Sequence, residues 1–386
     1  MDITLKTSQK LLLGGVIYWG GRSLTAISMP LYLLSQGIPL SLIVTSKSLQ
    51  LIVIACFSFI TGFLSDKYGS KKAICISCLL EVIYFILIVS ATETSVLVGE
   101  IINGLALAFY NGNYEKWLHD AEDRQFSRAY SFYQKYRFFF MGATVFAGGF
   151  FLLPTLIISA VINFALFFWF ASCRESPVQA ITVLEAKPNH RWHLSPVMIL
   201  LAFFYIAVSS ALTPIYSLWP TQLEVFSISA IYPGAIYFFA MLLQALICHI
   251  ITTPVFRHAV YRPLLTISFV FIPAIFMVFL YYAIQNKQLL LIPILSWLSI
   301  FTVLALPTGA ATLIFIEINT RLSQGRATFI STMDSLIKTL SGSIMFLLSI
   351  DKTSVLPNTW LWCGLILFIA GAALLFASIV PTKAST

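Results

Sequence analysis

The stretch Gly62-Phe63-Leu64-Ser65-Asp66-Lys67-Tyr68-Gly69-Ser70-Lys71-Lys72 is a short charged turn between two long apolar runs. The run before it, near residues 41–64, and the run after it, near 73–90, each approach the roughly 20 apolar residues that one bilayer crossing requires. An eleven-residue link makes them antiparallel neighbours. Gly62 would permit close helix approach, and Gly69 would permit a turn with positive φ.

Outward from this turn the same alternation continues along the chain. Of 386 residues, 59% are hydrophobic and 10% are charged, whereas a soluble domain carries about 25% charge. This composition excludes a large soluble catalytic domain, a disordered chain and a disulfide scaffold. Uniformly apolar runs also exclude an outer-membrane barrel, whose strands would alternate. Spans are expected at 11–34, 41–64, 73–90, 96–118, 129–150, 152–172, 195–218, 225–250, 263–283, 288–316, 328–350 and 358–380. The fold class is therefore an all-α polytopic membrane protein of twelve transmembrane helices. The longest polar interruption, 173–194, divides it into an N-terminal six-helix bundle (1–172) and a C-terminal one (195–386). The interruption itself is a cytoplasmic linker.

The net charge of +8 follows topology. One side of the membrane carries Lys6, Lys10, Lys67, Lys71, Lys72, Arg124, Arg128, Arg174, Lys187, Arg191, Arg257, Arg262, Arg321, Arg326 and Lys383; the other carries Lys287 and Lys352. This asymmetry places both termini in the cytoplasm and removes the case for nucleic acid as a partner. Lys6 and Lys10 precede an apolar run, but it is long, holds Arg22 and lacks a small-residue cleavage site, so it reads as the first span. Six cysteines lie within or beside apolar spans. Cys75 and Cys78 have no second pair to complete a zinc site, and His190 and His193 read as part of a solvated connector. No metal and no cofactor are expected.

The loop at 62–72 resembles the Gly-x-x-x-Asp-Arg/Lys-x-Gly-Arg-Arg/Lys signature of the major facilitator superfamily. The spacing, the position after the second span and the two-times-six layout all carry the resemblance. It implies a secondary transporter working by alternating access rather than an enzyme, and a gating role for Gly62, Asp66, Lys67, Gly69, Lys71 and Lys72. In the family the aspartate caps the eleventh helix, here beginning near Thr328, where the macrodipole favours an anion. Ser70 replaces the expected arginine, so Lys71 or Lys72 would pair with the end of the fourth span, at Asp120. The run from Phe109 to Asp120 resembles bacterial exporter-like, drug:proton antiporter-type members. Gly142, Gly148 and Gly149 stand in the fifth span without the proline usual in antiporters.

Ionisable groups inside spans are functional candidates because each is costly unless it faces protein or water. At about 100° per residue, Glu100, Asn103, Tyr110, Asn111 and Tyr114 share one face of the fourth span. That stripe fits a water-lined path, or else interhelical hydrogen bonds. Tyr18, Arg22 and Thr25 share a face of the first span. Ser331, Asp334, Lys338 and Ser341 share one of the eleventh, where Asp334 and Lys338 can pair and couple proton movement to transport. Lys135 and Arg137 point to opposite sides of the fifth span, with Arg137 taken as inward-facing. Lys47 either joins the cavity or snorkels, and Glu81 either binds a proton or pairs with a neighbour.

The substrate-binding candidates are thus Tyr18, Arg22, Lys47, Glu100, Asn103, Asn111 and Arg137, and the proton-coupling candidates are Asp334, Lys338 and Glu81. Arg22 suits a carboxylate or phosphate by bidentate geometry. The expected function is proton-coupled export of a small amphipathic organic anion or zwitterion, such as a drug, metabolite or siderophore-like compound. Import of an organic anion or metal-chelate nutrient is the alternative; a non-transporting sensor or an enzyme has no supporting motif. A monomer in the bacterial inner membrane is expected, with protons and a small molecule as its partners.

Overall fold

A computed structural model describes residues 7–122, 126–174, 196–225, 231–251, 261–286, 288, 291–321, 326–350 and 355–379. Among these residues all regular structure is helical. In chain order the helices are α1 (Thr7–Leu24), α2 (Ser28–Ser35), α3 (Leu40–Tyr68), α4 (Ser70–Val89), α5 (Glu93–Tyr110), α6 (Asn113–Glu122), α7 (Phe126–Gly148) and α8 (Leu153–Ser172). They continue as α9 (Pro196–Val225), α10 (Ile231–Ile251), α11 (Tyr261–Gln285), α12 (Leu291–Arg321), α13 (Arg326–Ile350) and α14 (Val355–Ile379). Two pairs, α1 with α2 and α5 with α6, each make one membrane crossing, so the chain is a twelve-span protein. Six of the described helices are individually long and apolar enough to cross a bilayer.

The expected continuous first and fourth helices are corrected by these two breaks. Pro30 sits in the first turn of α2. It lacks the N–H that would bond to the Ala26 carbonyl, and in a continuous helix its ring would strike that carbonyl. The chain instead tightens, with Thr25 N–H donating to Arg22 O at 3.2 Å and Ala26 N–H to Ser23 O at 3.0 Å. The second break lies at Asn111-Gly112, where Gly112 adopts φ +79°, a conformation that a side chain disfavours. Asn113 Nδ2 restarts the chain by donating to Phe109 O at 2.9 Å. Such openings survive at membrane depth because protein groups satisfy the freed backbone. Gly69 likewise turns with φ +98° between α3 and α4.

The described residues form two compact units, Met1–Trp192 with Ser229–Phe238 and His193–Ile228 with Phe239–Thr386. Residues 175–195, which hold nearly all of the expected linker, lie outside the described residues. In the first unit α1 packs on α7 and α8, α4 on α5 and α8, and α3 on α5. Helices approach this closely through small residues. A side chain at Gly104 would meet the Gln50 carbonyl oxygen at 2.8 Å and Val53, and one at Gly148 would collide with the Leu24 carbonyl. At Gly62, where close approach is expected, an added Cβ would meet nothing within 4 Å among the described residues. In the second unit α9 packs on α12, α13 and α14. Ser210 and Ser341 stitch α9 to α13 through the carbonyls of Ile337 and Ser210, at 3.5 and 3.4 Å.

Gly104→Val should therefore open the α3–α5 crossing and cost about 1–3 kcal/mol by overpacking. Gly62→Ala should leave stability unchanged or raise it by about 0.5–1 kcal/mol. Thermal unfolding of both variants in the same detergent distinguishes a packing glycine from an unconstrained one.

Candidate functional site

Two ion pairs lie at the junction of α1, α3, α4 and α5. Arg22, in the last turn of α1, pairs with Glu81 of α4 through Nη1 and Oε1. Its Nη2 donates to Asn103 Oδ1 of α5 at 3.0 Å. Asn103 Nδ2 in turn donates to Glu100 Oε2 at 3.0 Å, and Glu100 Oε1 pairs with Lys47 Nζ of α3 at 2.7 Å. Hydroxyls complete the shell: Tyr18 donates to Glu81 Oε1 and Tyr84 to Glu100 Oε1, both at 3.3 Å, while the Tyr18 and Ser77 hydroxyls lie 3.3 Å apart. One unbroken polar chain thus links Ser77, Tyr18, Glu81, Arg22, Asn103, Glu100 and Lys47.

The local causes are readable. Gly104 lets α3 and α5 nearly touch, and Glu100, one turn away on α5, consequently reaches Lys47. Arg22 ends α1 where the chain breaks, so its guanidinium can serve α4 and α5 together. Two cations and two carboxylates balance, as a buried ionic cluster requires. The burial is uneven. Glu81 and Glu100 side chains are sealed, at 0% and 1% exposure, whereas Arg22 and Lys47 retain 15% and 16%. The accessible edge of the cluster is its cationic edge. Lys47 is accordingly held in the cluster, and the snorkelling alternative is corrected. Glu81 takes the paired alternative.

Beside the ion pairs lies an aromatic column. Tyr18 and Tyr110 stack at 3.8 Å between centroids, Tyr110 and Tyr114 at 5.1 Å, and Trp19 stands edge-on to the first two at 5.8 and 6.0 Å. The Arg137 guanidinium of α7 lies 4.0 Å from the Trp19 ring centroid, a close cation–π contact, while Lys135 is exposed. Sequence reasoning passed over Trp19, although its place beside Tyr18 and before Arg22 was the available signal.

The face of the fourth span expected to run continuously is thus divided. Glu100 and Asn103 belong to the ionic cluster, Tyr110 to the column, and Tyr114 donates to Leu11 O at 2.8 Å. Asn111 caps α5, its N–H donating to Leu107 O at 2.8 Å. Interhelical bonding takes up most of that stripe, as its second reading allowed. Thr25 lies beyond α1 and bonds back to Arg22 O at 2.8 Å.

Among the described residues, none of the remaining candidates takes part in the ion pairs and hydrogen bonds that link this cluster. Asp334 and Lys338 face each other loosely on α13, at 4.0 Å, with 40% and 23% of their side chains exposed. The side chains of Asp66 and Ser331 lie outside the described residues. Lys67 lies 5.2 Å from the Tyr68 ring, and Lys72 and Asp120 are exposed. Lys71 Nζ donates to Cys173 O at 2.9 Å, placing a cation on the carbonyl end of α8, where the helix dipole favours it. Burial pushes the Cys173 thiol up, against the lowering effect of Lys10 and Lys71. Among the described residues no cluster of His, Cys, Asp and Glu could hold a metal ion.

The sequence profile of the Major Facilitator Superfamily matches residues 11–344. No curated protein matches the chain. Among solved structures the chain resembles the inward-open xylose transporter XylE from E. coli, with a TM-score of 0.72 at 16% identity over 98% of this chain and 97% of that one. It resembles the nucleoside transporter NupG with a TM-score of 0.68 at 14% identity, covering 98% and 100%. The human organic anion transporter MFSD10 (TETRAN) gives 0.62 at 12% identity, covering 95% and 98%. At these identities the likeness is one of fold.

Lys47→Met should strand the buried Glu100 charge and cost about 3–5 kcal/mol, and Lys47→Met/Glu100→Leu should recover most of it. A double-mutant cycle of thermal stabilities measures the coupling; additive losses would mean the pair is energetically inert.

Proposed function

This chain belongs to the major facilitator superfamily, and from that premise we propose that it is a proton-coupled secondary transporter of a small amphipathic organic anion or zwitterion. It is a multi-pass membrane protein; we further infer a bacterial inner-membrane location with cytoplasmic termini, supported by the asymmetry of basic residues between loops. The observation that carries the substrate class is the cationic edge of the buried cluster. Arg22 already holds a carboxylate and an amide oxygen at once, which is the donor geometry that an incoming carboxylate or phosphate group requires. Trp19, half-buried beside the Arg22 guanidinium, offers apolar area next to it.

The superposed transporters carry a sugar, a nucleoside and an organic anion in their names, so the shared fold does not select among these classes. The selection rests on this chain's own charges. Glu81, buried and paired, is the first choice for the coupling proton. Asp334 and Lys338, loosely paired on α13, are the second. Asp66 with Lys67, Lys71, Lys72 and Asp120 is assigned the gating role of the family motif, with Lys71 also anchoring the turn to α8. Export of the substrate by exchange requires proton and substrate to compete for one site; uptake requires them to bind together.

Proteoliposomes carrying the full chain, given a panel of aromatic and aliphatic monocarboxylates and amino acids, should show substrate-dependent proton flux. Arg22→Ala should lower the flux about 10- to 100-fold, the worth of a charged hydrogen bond. Undiminished transport of anions by Arg22→Ala would overturn the assignment. Asp334→Asn should retain most of the flux and Glu81→Gln should lose it; the reverse result would move the coupling site to α13.

A further inference from the structure

The ionic cluster is balanced as it stands, with Arg22 and Lys47 against Glu81 and Glu100. The other groups near Glu81 are few. From α1 come Tyr18 and Arg22, from α4 itself Ser77, Cys78 and Tyr84, from α5 Glu100 and Asn103, and from α3 Lys47. Helix α8, packed along α4, contains no titratable residue between Leu153 and Ser172. Helix α6 meets α4 lower down, where Trp117 and Leu118 pack with Ile74 and Cys78, and its Glu115, Lys116 and Asp120 belong to that end.

Within the cluster the two carboxylates are not equivalent. Glu100 receives Lys47, Tyr84 and Asn103. Glu81 receives Arg22 and Tyr18 on Oε1 alone, and its Oε2 is buried without a hydrogen-bond partner among the described residues. An organic anion that engages Arg22 therefore takes the principal partner of Glu81, and would leave the site one negative charge in excess. An uncompensated buried charge is strongly unfavourable, and the carboxylate can relieve it by taking a proton.

Resting on the transport reading, we propose that Glu81 is the internal counter-ion which a substrate anion displaces from Arg22, and that it binds one proton on Oε2 as it is displaced. The proton comes from a hydronium ion of the aqueous phase: one of its O–H bonds breaks, releasing water, and one O–H bond forms on Oε2; the guanidinium shifts to the substrate's carboxylate, and nothing is oxidised or reduced. Anion and proton then enter and leave together as a neutral pair. An inward proton gradient drives such a pair inward, so this site takes up organic acids. A cationic substrate would instead pair with Glu81 and compete with the proton, giving export.

The test needs no ligand, because Arg22→Gln removes the cation as a bound anion would. Infrared spectra of the full chain in nanodiscs at neutral pH should show a protonated-carboxyl C=O stretch in Arg22→Gln that is absent from the native protein. The band should vanish in Arg22→Gln/Glu81→Gln. Absence of the band in the single variant, or its persistence in the double variant, would overturn the proposal. If Arg22→Gln is unstable at neutral pH, unfolding is followed against pH in both variants. The single variant should gain stability relative to the double as pH falls, and identical profiles would overturn the proposal. A Glu81 band without transport of any tested carboxylate would keep the proton site and overturn the transport reading instead.

Discussion

Two carboxylates sealed in the interior of a membrane protein can keep their charge only while cations stay within reach. That requirement governs the first unit. Glu81 and Glu100 lie on neighbouring helices and each holds one cation, while Asn103 bridges the two pairs by accepting from Arg22 and donating to Glu100. Removing any one member leaves another unpaired, so the four helices that contribute are tied to a single arrangement. The same constraint makes the cluster responsive, since a new charge arriving at Arg22 must be answered elsewhere in it.

Packing brings these groups together. Helix α1 carries Gly14, Gly15, Gly20 and Gly21, all buried, and side chains of α6, α7 and α8 fill the space that their missing Cβ atoms leave. The two helix breaks fall at either end of the cluster and the aromatic column. Pro30 frees the chain just past Arg22, and Gly112 frees it just past Tyr110. Openings of this kind commonly mark binding regions in transporter folds, because irregular backbone persists in a membrane only where protein or a wet cavity meets it.

Much of this was legible in the residues. Apolar length gave the number of spans, and the turn at 62–72 carried the family resemblance. Helical spacing put Glu100 beside Asn103 and Tyr18 beside Arg22. What spacing along single helices does not contain is partnership between helices. Glu81 on the third span and Lys47 on the second had no visible partners, because those partners lie across contacts that Gly104 and the end of α1 create. The breaks were open to local reading, since Pro30 and the Tyr-Asn-Gly-Asn run at 110–113 are ordinary helix-stop signals. Long apolar runs overrode them, because bilayer length alone argued for continuity. At Gly62, placed by the motif where close packing is expected, an added Cβ would meet no neighbour within 4 Å among the described residues.

The two units differ in kind. Among the described residues the first holds the buried ion pairs. The second answers with neutral polar contacts among its described residues: Tyr216 donates to Leu304 O at 2.8 Å, Gln244 Nε2 donates to Tyr216 Oη at 3.0 Å, and Ser210 and Ser341 bond to backbone. The Leu304 carbonyl thus ties Tyr216 of α9 and Gln244 of α10 to α12, in the turn before the helix-interior Pro307. Such contacts hold a shape but do not change charge. Among the described residues the sealed ion pairs lie in the first unit, and the Asp334–Lys338 pair of the second is part-exposed. The resemblance to transporters named for a sugar, a nucleoside and an organic anion follows from the halves. The substrate class we propose for this chain rests instead on Arg22 and the carboxylates beside it.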